Sequence, residues 1–293
     1  MATSSIEWTE ETWNPVTGCT RASAGCDLCY AVTMTRRLEA MGSPKYQGLI
    51  NPGKGHFNGL VLEHADSLSQ PLKRTKGTLY FVNSMSDLFH PGVSFEFTAA
   101  VFGAMAMSPQ HRFQVLTKRP DRAAQFFAWL DNTSKDRQVE YVTFQAHRLN
   151  REVPFEQSAV SWPLENVWIG TSIEDDRVSH RIDELRQVTA AGRFLSCEPL
   201  IGGIDLTGKL DGIHWVIVGG ESGAGARPMR FEWAEAIQTA CNEAGVAFFF
   251  KQTGRVLAAE WGLGSTKGSK AEDWPAEYRA IDQREFPRGM AAV

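Results

Sequence analysis

Short apolar runs, each followed directly by polar residues, constrain the fold of this chain more than any other feature. The runs are rich in β-branched and aromatic residues and are apolar on both faces, which is typical of parallel strands buried between two layers. Six runs of this kind occupy residues 78–82, 113–116, 167–170, 193–196, 215–218 and 246–250. We expect each run to form one strand of a parallel sheet.

Helical segments are predicted between these runs. The clearest span residues 94–107, 121–130, 176–190 and 231–243, and Gly245 marks the expected end of the last one. Alternating strands and helices indicate an α/β fold, and at least six units in this length favour an incomplete (β/α) barrel. A doubly wound open sheet is the alternative. In either fold the polar residues that follow the strands gather at one edge of the sheet, where reactive residues are found.

Composition excludes several classes of protein. The chain has 293 residues, with 30 Lys and Arg against 34 Asp and Glu, so its formal net charge is −4. A protein that coats DNA or acidic membranes through bulk positive charge is therefore excluded. No run reaches the ~20 apolar residues of a membrane span, and the first residues do not read as a signal peptide. We expect a cytoplasmic protein with no membrane partner; the sequence does not indicate its oligomeric state.

Two regions interrupt the alternation of strands and helices. Residues 131–165 form a long polar insertion with a helical stretch near 139–151, and the chain beyond residue 253 contains Gly, Pro and two tryptophans. We therefore predict a barrel over residues 1–255 that carries this insertion, and a C-terminal extension over 256–293 packed on the barrel. The sequence does not distinguish a lid from a surface element for either region.

Three of the five cysteines, Cys19, Cys26 and Cys29, fall within 11 residues with the spacing C-x6-C-x2-C. Gly18 and Gly25 each precede a cysteine, which suits a tight loop folded around a metal centre. A structural zinc site needs four ligands, and no histidine or further cysteine has ligand spacing to this group. An iron–sulfur cluster also takes four thiolates, so three would leave one iron open to a substrate or cofactor. The sequence is therefore compatible with a zinc site and with an iron–sulfur cluster.

The cysteine loop resembles the cluster loop of the radical S-adenosylmethionine (SAM) superfamily. Most members of that superfamily space their cysteines C-x3-C-x2-C, and the longer first gap here is similar to a narrower family, the phage-type three-cysteine-motif proteins related to radical SAM enzymes. Further motifs that carry this resemblance lie at residues 13–19, 82–90, 116–120, 166–172, 194–199, 215–223, 226–228 and 248–252.

The resemblance implies that Cys19, Cys26 and Cys29 hold a [4Fe-4S] cluster and that SAM binds its open iron. One electron, from a donor of the flavodoxin or ferredoxin type, would split SAM into methionine and a 5′-deoxyadenosyl radical that abstracts hydrogen from a substrate. The reaction could be that of a lyase, an isomerase or a base-modifying enzyme. The fold implied is a partial barrel of the radical SAM type.

Candidate SAM-binding residues follow the last cysteine and the first strand run. Tyr30 stands where the superfamily often places an aromatic residue beside adenine; support of the loop is the alternative role. Ser84 and Asp87 lie where superfamily members bind the SAM amino group. Both residue types also favour helix N-caps, which is the structural alternative.

Further candidates follow the next strands. Lys118 and Arg119 could hold the SAM carboxylate or a substrate phosphate through charge-assisted hydrogen bonds. Ser172 and Glu174 are candidates for the SAM hydroxyls, and Glu221 for the SAM ribose or the substrate.

Two residues after the fourth run are predicted to be catalytic. Cys197 could donate a hydrogen atom to a substrate radical, as in radical SAM lyases that repair DNA, and Glu198 could act on the substrate or on the SAM ribose. Free cysteine is also among the most buried residue types, so a core position is the alternative for Cys197. Cys241 lies on the apolar face of a predicted helix and is expected in the core.

The substrate expected from the resemblance is a nucleic-acid base or nucleotide, in phage DNA hypermodification or lyase-type repair. Basic residues in pairs add to this expectation, since several pairs at the barrel mouth would form a phosphate-binding groove. The pairs or groups are Arg36 with Arg37, Lys73 with Arg74 and Lys76, Lys118 with Arg119, His147 with Arg148 and Arg151, and Arg177 with His180 and Arg181. The alternatives are a zinc-stapled nucleic-acid-binding module without turnover, and radical SAM chemistry on a peptide or small metabolite.

Overall fold

An eight-stranded sheet organises the protein, as seen in a computed structural model that describes residues 2–3, 6–53, 55–155 and 160–290. The spatial order of its strands is β1-β2-β5-β6-β7-β8-β9-β10. Their bounds are β1 Ala2–Thr3, β2 Glu11–Trp13, β5 Leu79–Val82, β6 Arg112–Thr117, β7 Val167–Ser172, β8 Gly192–Cys197, β9 Trp215–Gly219 and β10 Ala247–Gln252. A separate two-stranded ribbon joins β3 Val16–Thr17 to β4 Leu62–Glu63.

Seven strands of this sheet, β2 and β5 to β10, run parallel, and only β1 at the edge is antiparallel to its neighbour. Because neighbours in space follow one another along the chain, the sheet curls in one direction into a half-barrel. The α/β fold and the incomplete barrel predicted from the sequence are confirmed. The radical SAM type of that barrel stays a prediction.

Among the residues that the structure describes, seven α-helices connect and flank the strands. They are α1 Tyr30–Ala40, α2 Phe95–Ala106, α3 Pro120–Ser134, α4 Gln138–Leu149, α5 Arg181–Arg186, α6 Phe231–Ala244 and α7 Arg255–Glu260. Ser94 caps α2 by accepting a hydrogen bond from the backbone N–H of Phe97, and α6 ends, as predicted, at the left-handed Gly245. Within the described ranges no helix has both the length and the apolar character needed to cross a membrane.

The two faces of the sheet bury two different clusters. Tyr80 and Val82 pack with the helices in the larger cluster, whereas Leu79 and Phe81 face a smaller cluster with Trp168. The side chains of this smaller cluster come from strands and from segments near the two chain ends, and the α-helices listed above contribute none of its described members. The helices thus cover one face, as in a barrel; in a doubly wound sheet they would cover both.

The insertion and the C-terminal extension both belong to the packed body. Helix α4 lies so close to α2 that a Cβ on Gly103 would stand 2.1 Å from the carbonyl oxygen of Val142. Beyond α7, the backbone of Gln283 and Glu285 hydrogen-bonds to β10. Met290 then lies fully buried in the smaller cluster, so the extension closes the sheet edge and the floor of the half-barrel.

Candidate functional site

The three clustered cysteines lie on one loop that starts at the β3–β4 ribbon and ends at helix α1. The loop turns at Gly18, which has a φ of +84° and comes so close to Leu60 that a Cβ would stand 2.0 Å from its carbonyl oxygen. It then passes Cys19, makes one turn of 3₁₀ helix over Ala24–Cys26 and reaches Cys29, the N-cap of α1. The backbone freedom expected of Gly18 is therefore required at this position.

A first ion pair fastens the start of the loop to the sheet. Asp87, which follows β5, accepts a 2.9 Å hydrogen bond from Arg119 at the end of β6. The other guanidinium nitrogen of Arg119 donates to the backbone oxygen and the hydroxyl of Thr20, at 3.0 and 2.9 Å. Asp87 also accepts from the Thr117 hydroxyl and from the backbone of Lys118. Asp87 is thus fully engaged in holding β6 and the loop.

A second carboxylate, Glu174 after β7, fastens the middle of the loop. Its side chain is 1% exposed and accepts hydrogen bonds from Lys118, from Arg181 at 3.2 Å and from the hydroxyl of Ser23 at 2.8 Å. A Cβ on Gly25 would lie 2.4 Å from this side chain. The loop is therefore pressed onto a buried carboxylate that two cations neutralise.

A third pair holds the far side of the loop. Glu221, after β9, forms a 2.7 Å ion pair with Arg227, whose guanidinium also donates 2.9 Å to the carbonyl oxygen of Ala24. Arg227 lies 3.7 Å from Asp27 as well. These three carboxylates and their four cations, Asp87 with Arg119, Glu174 with Lys118 and Arg181, and Glu221 with Arg227, are named the loop clamps below. They hold the cysteine loop over the carboxyl ends of β5, β6, β7 and β9.

The three thiols differ in their surroundings. Burial raises the pKa of Cys19 to about 12, with the Asp87 carboxylate adding to the effect and Arg119, 4.0 Å from the sulfur, opposing it. Burial also raises the pKa of Cys29. Cys26 acts electrostatically on both of the other thiols, so the three lie near one another. In the described residues, no set of three or more His, Cys, Asp or Glu side chains is arranged to hold a single metal ion.

Two histidines near the cysteine loop form hydrogen bonds with threonine hydroxyls. His64 lies 2.8 Å from the hydroxyl of Thr17, and His90 lies 2.8 Å from the hydroxyl of Thr20. The other ring nitrogen of His90 accepts a hydrogen bond from the backbone of Gly92. These contacts employ the imidazoles as hydrogen-bond partners of loop threonines.

Asn83 is the residue of this edge that the structure leaves unexplained. It follows β5 directly, is buried, and has a left-handed φ of +61°, which is uncommon for a residue with a side chain. Both polar atoms of its side chain are buried without a hydrogen-bond partner. Asn83 follows the last residue of β5, Val82, and lies in the turn that leads to Ser84 and Asp87. A buried, unpaired amide in a strained backbone indicates a ligand-binding position.

The residues next to Asn83 tie helix α1 to the same edge. Tyr30 donates its hydroxyl hydrogen to the backbone oxygen of Ser84, while its ring is half exposed. The Ser84 hydroxyl pairs with the side chain of Asn14. Tyr30 therefore combines an inward hydroxyl with a free aromatic face beside Cys29.

The two residues predicted to be catalytic lie on opposite faces of the sheet. Cys197 is fully buried in the larger cluster with the helices, and burial raises its pKa well above the ordinary thiol value. Cys241, also in that cluster, is close enough to act on it electrostatically. The placement of Cys197 matches the core alternative and gives no support to hydrogen donation. Glu198, in contrast, pairs with Lys251 at 2.7 Å and contacts Ser196, inside the curl.

Most predicted site residues therefore do meet at the carboxyl ends of the strands, but in roles the sequence did not indicate. Asp87, Lys118, Arg119 and Glu221 hold each other and the loop, whereas Ser172 lies buried at the end of β7, its backbone oxygen bound by Arg181. Sequence reasoning listed Arg181 only among the grouped basic residues and gave no role to Asn83, Arg227 or Lys251. The last three lay inside the motifs of the family resemblance, which was the available signal.

Several described basic residues at this edge are already paired with carboxylates. The mouth cations Lys118, Arg119, Arg181, Arg227 and Lys251 each form an ion pair with a carboxylate. Elsewhere Lys73, Arg74 and Arg177 are paired with Glu152, Glu11 and Asp175. The edge of the sheet is therefore close to charge balance.

Comparison with protein families gives one match. The model of a family described as a protein of unknown function, DUF5131, matches residues 3–285. No curated protein and no solved structure matches the chain.

Proposed function

Since the chain belongs to the DUF5131 family, whose description names no activity, we propose from the site itself that the protein is an iron–sulfur enzyme that uses SAM. One observation carries this proposal: three buried carboxylates, each paired with at least one cation, hold a three-thiol loop over the carboxyl ends of parallel strands. Enzymes of this architecture place their reactive groups at that edge. A loop that served only as a surface turn would not need three buried carboxylates to fix it.

The residues present fit a thiolate-bound cluster. Cys19, Cys26 and Cys29 would supply three thiolates, the donor type that iron–sulfur clusters take. Gly25 lets the loop lie against Glu174 without a clash, which fixes the backbone between the ligands. When bound, the cluster and SAM would supply a 5′-deoxyadenosyl radical for hydrogen abstraction, with an electron from a flavodoxin- or ferredoxin-type partner.

The protein's own contribution is binding and orientation. Arg119 is 4.0 Å from the Cys19 sulfur, so its charge would stabilise the thiolate form of that ligand. The unpaired amide of Asn83 would gain the hydrogen bonds it lacks from the amino-acid portion of SAM. The exposed ring of Tyr30 offers a stacking surface for adenine. Ser172 remains a candidate for a SAM hydroxyl.

Charge balance at the mouth bears on the substrate. A polyanionic backbone would need unpaired cations, and each mouth cation named above is already neutralised by a carboxylate. A neutral polar group is favoured under these conditions. We therefore propose a nucleobase, free, in a nucleoside or extruded from a strand, as the group on which the enzyme acts.

The deciding experiment is anaerobic reconstitution with iron and sulfide, followed by reduction and electron paramagnetic resonance with and without SAM. We expect a [4Fe-4S] signal that shifts when SAM is added and that is lost in Cys26→Ala. Cys241→Ala is the matched control, because that cysteine lies in the core and should leave the signal intact. Stoichiometric zinc and no cluster signal would overturn the proposal and favour a zinc-stapled binding module.

A further inference from the structure

One ion pair on the inner face of the curled sheet takes no part in holding the cysteine loop. Glu198, directly after β8, forms a 2.7 Å ion pair with Lys251 near the end of β10. The hydroxyl of Ser196 donates to the other carboxylate oxygen at 3.3 Å. The charged side chains are only 14% and 17% exposed, so both are largely withdrawn from water. Desolvating two charges is unfavourable, and such pairs are candidates for functional sites.

Lys251 stands at an irregularity of the sheet. Phe250 of β10 pairs with Val218 of β9 and Gln252 pairs with Gly219, so Lys251 is an extra residue without a partner in the ladder. Bulges are rare in parallel pairs and are over-represented beside active sites. The Lys251 ammonium contacts the Glu198 carboxylate from this unpaired position.

Glycine makes room for the pair. A Cβ on Gly219 would stand 2.9 Å from the carboxylate oxygen of Glu198 that binds Lys251, so a side chain there would displace it. The carboxylate therefore lies directly over the backbone of β9.

The chemistry of Ser196, Glu198 and Lys251, called the trio here, selects the ligand that they bind. The Lys251 ammonium has three hydrogen-bond donors and the Glu198 carboxylate has about four acceptor positions, of which the trio uses only a few. A phosphate would meet the negative charge of Glu198, and a free amine would meet the positive charge of Lys251. A neutral group with a donor beside an acceptor satisfies both side chains at once.

We propose that Ser196, Glu198 and Lys251 form a substrate subsite that binds the Watson–Crick edge of a nucleobase. Each base presents an N–H donor next to an acceptor on that edge, the donor for Glu198 and the acceptor for Lys251. Recognition of a base through this edge is how enzymes that act on extruded bases identify them. The role of the subsite in a reaction rests on the function proposed above, but its affinity for bases does not.

The test is nucleoside binding to the full-length protein, measured by saturation-transfer NMR with adenosine, cytidine, guanosine and uridine. We expect at least one of the four to bind, and its affinity to fall by about tenfold or more in Lys251→Met and in Glu198→Gln. A version of that nucleoside methylated on its Watson–Crick edge should bind as weakly as the variants do. Lys73→Met, which removes an exposed ion pair with Glu152, is the matched control.

Two further readouts separate this inference from the function proposed above. The reduced Lys251→Met and Glu198→Gln proteins should keep the SAM-induced shift of the cluster signal, and circular dichroism at the assay temperature should show that both variants are folded. Failure of all four nucleosides to bind, or equal binding by both variants and the native protein, would overturn the subsite. Nucleoside binding without any cluster signal would keep the subsite and overturn the iron–sulfur proposal.

Discussion

The hydroxyl of Ser23 donates a 2.8 Å hydrogen bond to the carboxylate of Glu174, a residue 151 positions further along the chain. This contact joins the middle of the cysteine loop to the end of β7. Glu174 is at the same time paired with Lys118 and Arg181, so one buried carboxylate connects the loop, two strand ends and helix α5. The loop conformation is therefore set by the sheet on which it rests, and the following predictions test that dependence.

Replacing Glu174 with Gln should destabilise the protein strongly. The amide keeps the shape but leaves Arg181, 6% exposed, as a buried cation without a counter-charge. Breaking a buried pair in this way costs about 3–5 kcal/mol of the free energy of unfolding. Urea unfolding followed by circular dichroism measures the loss. Asp183→Asn, which breaks the exposed pair with Arg186, is the control, and a Glu174→Gln protein as stable as that control would contradict the clamp.

Gly25→Ala should loosen the loop without altering any charge. The added methyl would stand 2.4 Å from the Glu174 side chain, which three hydrogen-bonding partners prevent from moving away. We expect a loss of about 1–3 kcal/mol, typical of overpacking, and faster hydrogen–deuterium exchange over residues 19–29. Gly264→Ala adds the same methyl where no atom lies within 4 Å, and it should behave like the native protein. Unchanged exchange in the loop would show that the contact with Glu174 does not fix it.

Stability should fall as pH decreases below about 6.5, the ordinary pKa of histidine. Burial and the nearby Arg119 charge lower the pKa of His90, and burial also lowers those of His64 and His111. Since the folded state holds these imidazoles neutral, the unfolded state binds more protons in this range. The neutral histidines therefore contribute fully to the free energy of unfolding above their pKa in the unfolded chain. This contribution is lost as the pH falls from there through their lower pKa values in the folded protein.

Free energies of unfolding at pH 7.5 and pH 5.5 measure this effect. In His90→Gln the decrease between the two pH values should be smaller than in the native protein, because one of the three histidines no longer titrates. A decrease of the same size would mean that His90 is already protonated in the fold and does not accept the hydrogen bond from Gly92.

Asn83→Gly should stabilise the protein and impair ligand binding at the same time. Glycine adopts a φ of +61° without strain, and it removes two buried polar atoms that have no partner. We expect the free energy of unfolding to rise by about 1 kcal/mol. In the same variant, the SAM-induced change in the cluster signal should be lost. Thermal unfolding and the resonance experiment described above measure the two effects. A less stable Asn83→Gly protein would instead assign Asn83 a structural role.

The strands were predictable because the information for them is local. Strands β5 to β10 begin and end within two residues of the predicted runs, since a strand buried on both faces is apolar throughout. Strand β2 was missed because it has only three residues, Glu11–Trp13, and two of them are polar. The ion pair of Glu11 with Arg74, which makes its burial possible, joins residues far apart in the chain.

The candidate site was predictable in its members and not in its pairings. That Lys118 and Glu174 would lie at one sheet edge followed from their positions after strands. That they would bind each other depends on which side chains meet across the curl. Cys197 is an example. It follows Ser196 directly in β8, and because side chains alternate along a strand, the two residues lie on opposite faces of the sheet.

The antiparallel pairing of residues 283–285 with β10 has a consequence for how the protein is made. Until those residues leave the ribosome, the edge of β10 is an open template for other strands, and Trp215 and Phe249 lack the cover of Phe286. The cysteine loop, in contrast, precedes β5 to β10 along the chain. A nascent chain therefore carries the thiols of Cys19, Cys26 and Cys29 before the strands that hold their loop have been made, so these thiols are accessible during that interval.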